Sequence, residues 1–130
     1  MSEPRPQPFQ YAMLRVVPRV ERGEGINVGV VVFCRPLDYL GARIDLDEQL
    51  LQLLCPSCNL EPIRAHLSGI ERIAAGDPDA GHIAQLSISE RFHWLVAPAS
   101  TMIQASPSHT GLTTDPAREL TRLHASLVAR

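Results

Sequence analysis

Residues 26–34 read INVGVVVFC, a run in which only Asn27 is polar. Branched and aromatic side chains dominate it, as they do in strands. With no charge on either side, the run belongs in the middle of a sheet covered on both faces. Strict alternation puts Asn27, Gly29, Val31 and Phe33 on one face and Ile26, Val28, Val30 and Val32 on the other. Gly29, inside a strand, marks close approach by a neighbouring element. Asn27 is expected to be mostly buried and to bond the backbone of its own hairpin loop, because a buried amide needs partners.

On the N-terminal side, FQYAMLRVVP alternates as a first strand, with Tyr11, Met13, Arg15 and Val17 on one face and Ala12, Leu14 and Val16 on the other. The loop from Arg19 to Gly25 then makes a hairpin with 26–34. On the C-terminal side, a turn at Arg35–Asp38 leads to a third strand near Tyr39–Leu46, and such short links imply an antiparallel meander. Asp45-Leu-Asp-Glu48 resembles a capping box opening a helix over 47–54. A longer helix over 59–75 carries Leu60, Ile63, Leu67, Ile70 and Ala74 on one stripe and stops at Gly76-Asp-Pro78. Ser87-Ile-Ser-Glu90 caps another helix, which Pro98 ends. Residues 101–106 read as a fourth strand and 107–114 as a loop. Asp115-Pro116 starts a last helix with Leu120, Leu123 and Leu127 inward. The expected architecture is α+β: a single domain over 9–130, with a mostly antiparallel sheet of about four strands and packed helices. A flexible arm over 1–8, spaced by Pro4, Pro6 and Pro8, precedes it.

The chain has 130 residues, 45% of them hydrophobic, and a net charge of -2, which suits one soluble domain and argues against nucleic acid as a partner. All 12 basic residues are arginine. The opening MSEPRPQPFQ lacks an apolar run, and no segment approaches the roughly 20 apolar residues of a membrane span, so a cytoplasmic location is expected. Three cysteines, Cys34, Cys55 and Cys58, are read as structural thiols: the odd count argues against a disulfide framework, and C-x-x-C without a second ligand pair does not hold zinc. No metal or cofactor is expected. His93, beside Trp94, and His124, near the last helical stripe, read as packing positions.

Two polar segments are candidate ligand sites. Around the first hairpin lie Arg15, Arg22, Glu24 and Asn27, where clustered guanidiniums suit a carboxylate or phosphate. In SPSHTGLTTDP, residues 106–116, Ser108, His109 and Thr110 precede a helix N-terminus, which favours anions, although Asp115 competes for that position. A shared site requires the hairpin and this segment to be neighbours, with His109 near Arg15 or Arg22. No P-loop or G-x-S-x-G elbow is present, and no catalytic residue is assigned.

The succession YAMLRVVPRVERGEGINVGVVVF, GARIDLD and ERFHWLVAPASTMIQASPSHTGLTTDP resembles the bacterial family known as domain of unknown function 3037, over about Tyr11 to Val128. The resemblance brings no activity and implies at most a partner role, with a HipA-like kinase as the expected partner. Together with the small size, this favours a non-catalytic accessory or partner-binding protein. The alternative is a small enzyme or binder for a phosphorylated or carboxylated small molecule.

Overall fold

The computed structural model describes residues 4–98 and 101–130. Its centre is the expected hairpin, β1 (Gln7–Val16) against β2 (Ile26–Cys34), extended by β3 (Tyr39–Ile44) on the far side of β2. β1 begins at Gln7, so Gln7 and Pro8, expected in the arm, are part of the sheet. The other edge of β1 is shared by two short strands. β4 (Ile103–Ala105) pairs with Leu14–Val16, and β5 (His109–Thr113) pairs with Gln7–Tyr11. All pairings are antiparallel, and the sheet has five strands rather than about four.

The additional strand, β5, lies in the segment expected as a loop. β4 and β5 form one line along β1, interrupted at 106–108, where Pro107 has no N–H for the ladder. Ser106 bridges the interruption: its N–H donates to the Met13 carbonyl at 2.8 Å, and its Oγ accepts from the Met13 N–H at 2.9 Å.

Strict alternation fails once in β2. Leu14 lies opposite Gly29 but Arg15 lies opposite Asn27, so Val28 is an extra residue, a β-bulge. The bulge changes the phase of the strand. Ile26 and Val28 join Val31 and Phe33 in one core, while Val30, Val32 and Cys34 fill the other. Asn27 therefore faces the same way as Val30 and Val32, not as Gly29 and Phe33.

Four helices cover the two faces: α1 (Glu48–Leu54), α2 (Leu60–Ala75) and α3 (Ile88–Leu95) on one side, α4 (Pro116–Leu127) on the other. Each starts on a side-chain cap whose oxygen accepts a first-turn N–H: Asp47, Asn59, Ser87 and Asp115. The cap of α1 is Asp47, and Asp45 is left free to extend the β2–β3 ladder through its N–H to the Val28 carbonyl, 2.7 Å. α2 ends on Gly76 in the left-handed region, φ 71°. The Arg91 guanidinium then donates to the carbonyls of Ile73 and Ala74, both 3.0 Å, and of Leu86, 3.1 Å, tying the end of α2 to the start of α3. The larger core is closed by Phe92 of α3, whose ring stacks on Phe33 at 4.9 Å.

Candidate functional site

The hairpin residues divide between two tasks. Arg15 and Asn27 face each other across the β1–β2 ladder on the α4 side. The Arg15 guanidinium donates to the Gly25 carbonyl, 3.4 Å, within the hairpin. Asn27 does not bond its own loop: its Nδ2 donates to the Leu127 carbonyl, 3.2 Å, and it is half-buried. The bulge is the cause, because it turns Asn27 toward α4, whose last carbonyls lack helical partners. Arg22 and Glu24 form an ion pair in the loop, both side chains more than half exposed. With Pro18, Arg19, Leu53 and Leu54 they border a shallow cavity of about 230 Å³.

Ser108, His109 and Thr110 stand elsewhere. His109 lies opposite Tyr11, its ring 5.2 Å from the phenol, on the α4 side. Thr110 lies opposite Gln10 and points to the α3 side. Consecutive strand residues point to opposite faces, so this segment cannot present both to one ligand. From Tyr11 to Val16, where the hairpin loop begins, five residues span about 17 Å at ~3.3 Å each. β5 continues away from that loop, ending opposite Gln7. The fold therefore does not bring His109 and Arg22 together. The N-terminus of α4 is filled from within, as the Asp115 carboxylate accepts from the Arg118 N–H at 3.2 Å.

A surface that sequence reasoning missed lies on the α3 side. α3 buries Phe92 and Leu95, three residues apart, so the two residues between them point outward. His93 and Trp94 are thus exposed, which corrects the reading of His93 as a packing position; Trp94 keeps 46% of its surface. It stands over a groove of about 290 Å³ between α2, the end of α3 and the β4 edge, lined by residues that include His66, Ile70, Leu95, Pro98 and Ile103. A second hollow of about 250 Å³ shares His66, Thr101 and Ile103 and adds Pro62, Ile63 and Met102. None of the lining residues is Asp, Glu or Arg. The spacing of Phe92 and Leu95 is the signal that gives Trp94 away.

The remaining chemistry is local. Cys55 and Cys58 form a disulfide across the turn between α1 and α2, with Cα atoms 5.4 Å apart, which corrects their reading as thiols. The turn itself brings them together, Cys58 N–H donating to the Cys55 carbonyl. Cys34 is a free, buried thiol. His124, expected as a packing residue, is buried, 4% exposed; its Nε2 lies 3.0 Å from an Asp45 carboxylate oxygen without making a hydrogen bond. Burial, and secondarily the Asp115 carboxylate, push the Tyr39 phenol above its ordinary pKa. Among the described residues no group of three or more His, Cys, Asp and Glu is placed to hold a metal ion, and no helix is long and apolar enough to cross a membrane.

A family model described as "Protein of unknown function (DUF3037)" matches residues 11–128. No curated protein and no solved structure matches the chain.

Proposed function

The chain belongs to the DUF3037 family, and from that premise we propose that it is a non-catalytic, partner-binding protein whose contact surface is the groove beside Trp94. The observation that carries this reading is a half-exposed tryptophan standing over an uncharged hollow. Tryptophan is mostly buried in folded domains, and it is enriched among the few residues that dominate protein interfaces. The occupant is an uncharged, apolar segment of a protein partner, because a hollow lined mostly by apolar residues and by no arginine carries no fixed positive charge to hold a phosphorylated or carboxylated metabolite. At about 290 Å³ the groove lies at or below the small end of the roughly 300–1,000 Å³ of small-molecule sites. A HipA-like kinase is the first partner to test.

Trp94 is the single tryptophan of the chain, so intrinsic fluorescence reports on the groove directly. Titrating the partner should shift and saturate that emission, and Trp94→Ala should weaken binding, measured by calorimetry, by about 2 kcal/mol or more, the range of an interface anchor. A partner recovered from the native cytoplasm that binds wild type and Trp94→Ala equally well would place the contact elsewhere and overturn the proposal.

A further inference from the structure

On the same side of the sheet as α3, but at its other end, three strands place side chains abreast: Phe33 of β2 and Thr110 of β5 both lie opposite Gln10 of β1. Over this row opens a cavity of about 360 Å³, walled by Pro8, Pro36 and Phe33 and edged by Arg35, Ser89 and His93. No aspartate or glutamate lines it, in a chain whose net charge is -2. The Arg35 guanidinium has no hydrogen-bond or ion-pair partner among the described residues, unlike Arg22, Arg64, Arg72 and Arg122, each of which pairs with a carboxylate. His93 lies 2.7 Å from the Ser89 carbonyl through Nδ1. A carbonyl only accepts, so Nδ1 carries the proton and Nε2 is left for a ligand. In that tautomer Nε2 accepts a hydrogen bond from a ligand O–H, a protonated phosphate oxygen included.

We propose that this cavity binds a small organic anion, a single carboxylate or phosphate group on a flat apolar body. The anionic group pairs with Arg35, whose planar fork suits either oxyanion, and is completed by the Thr110 hydroxyl and, for a singly protonated phosphate, by His93 Nε2 accepting from its O–H. The apolar body lies against Phe33 and the two prolines. The Gln10 amide, in the middle of the row, reads a polar substituent. This site uses neither the hairpin arginines nor the Trp94 groove, and α3 separates the two surfaces by presenting His93 to one and Trp94 to the other.

The test is binding of benzoate, phenyl phosphate and inorganic phosphate to the full chain, by calorimetry and thermal shift. Benzoate and phenyl phosphate separate the carboxylate source from the phosphate source, and inorganic phosphate asks whether the apolar body matters. At least one aryl anion should bind with a melting-temperature rise of several degrees. Arg35→Ala should weaken it tenfold or more, with Arg35→Lys restoring part of the loss. Arg35 is exposed, so both variants should fold; an unchanged melting temperature without ligand checks this. In His93→Gln, binding of phenyl phosphate should fall while the thermal stability of the free protein holds. No binding by either aryl anion, binding unchanged in Arg35→Ala, or inorganic phosphate matching phenyl phosphate would each overturn the proposal.

Discussion

Gly29 sits where β2 and β3 press together. A methyl group added there would stand 2.8 Å from Ile44 Cγ1 and 3.1 Å from the Arg43 carbonyl oxygen. One neighbour is a branched core side chain and the other is backbone, and neither yields cheaply. Gly29→Ala should therefore cost about 1–3 kcal/mol, the range of overpacked cores, seen as a lower urea midpoint at unchanged slope. Asn27 gives a prediction with a sign. Asn27→Ala removes one hydrogen bond to the Leu127 carbonyl and should cost about 1 kcal/mol. Asn27→Asp should cost more, because it replaces the donor with a negative charge at the carbonyl end of α4, the negative pole of the helix. Equal losses for the two would mean that the Leu127 contact carries no weight. The destination of this amide was not legible in the sequence: alternation is a local rule, and a single inserted residue reverses every assignment on one side of it. Gly29 was legible, because close approach is the ordinary reason for glycine inside an apolar strand.

The junction of α2 and α3 depends on two side chains that act on the helix end. Arg91 donates to three carbonyls, two of them at the C-terminus of α2, where a cation is favoured, and one just before the cap of α3. Arg91→Met, which keeps much of the side chain's length, should cost roughly 1.5–3 kcal/mol, the range for hydrogen bonds to a charged group. Arg91→Lys should recover only part, since an ammonium cannot span three acceptors as a planar guanidinium does. Asp77, just past Gly76, is held below its ordinary pKa, first by the hydrogen bond from Arg72 and then by the Asp79 N–H. A lowered carboxyl pKa stabilises the fold above the unfolded value, 3.8, and that contribution is lost as pH falls through the folded value. Asp77→Asn should thus flatten the acid limb of the stability profile below about pH 4, measured by denaturant titration across pH. The stops and stripes of the helices and the caps at Ser87 and Asp115 were readable because each rests on neighbours within four residues, whereas the box expected from Asp45 gives way to a cap at Asp47. β5 was not, because HTGLT between a proline and a helix cap has the composition of a loop. It is a strand only because the edge of β1 is there to pair with, about a hundred residues earlier in the chain. A single site shared by the two polar segments was not decidable from the sequence for the same reason: whether two distant segments meet depends on where each joins the sheet, and β5 runs away from the hairpin loop.

For the molecule as a whole, Cys34 is a ready gauge of integrity. It lies at the end of β2 under α4, with no exposed surface, while the other two cysteines are joined. A thiol reagent should therefore find no reactive group in the native protein and a single one in the denatured, unreduced protein. The rate of labelling at rising denaturant should follow the global unfolding free energy, because α4 and both flanking strands must part to expose it. Prompt labelling under native conditions would show that α4 detaches by itself. The way residues 103–127 are used also bears on how the chain comes off the ribosome. β4 and β5 close the open edge of β1, and α4 covers Val30, Val32 and Cys34; all three elements are synthesised well after the strands they cover. Until they emerge, the nascent hairpin presents an unpaired strand edge and a bare valine surface, the two features that invite association with other chains. Premature termination before residue 103 would yield a species prone to aggregate rather than a shorter functional domain, so this fold is secured only once the elements that cover the hairpin have followed it out.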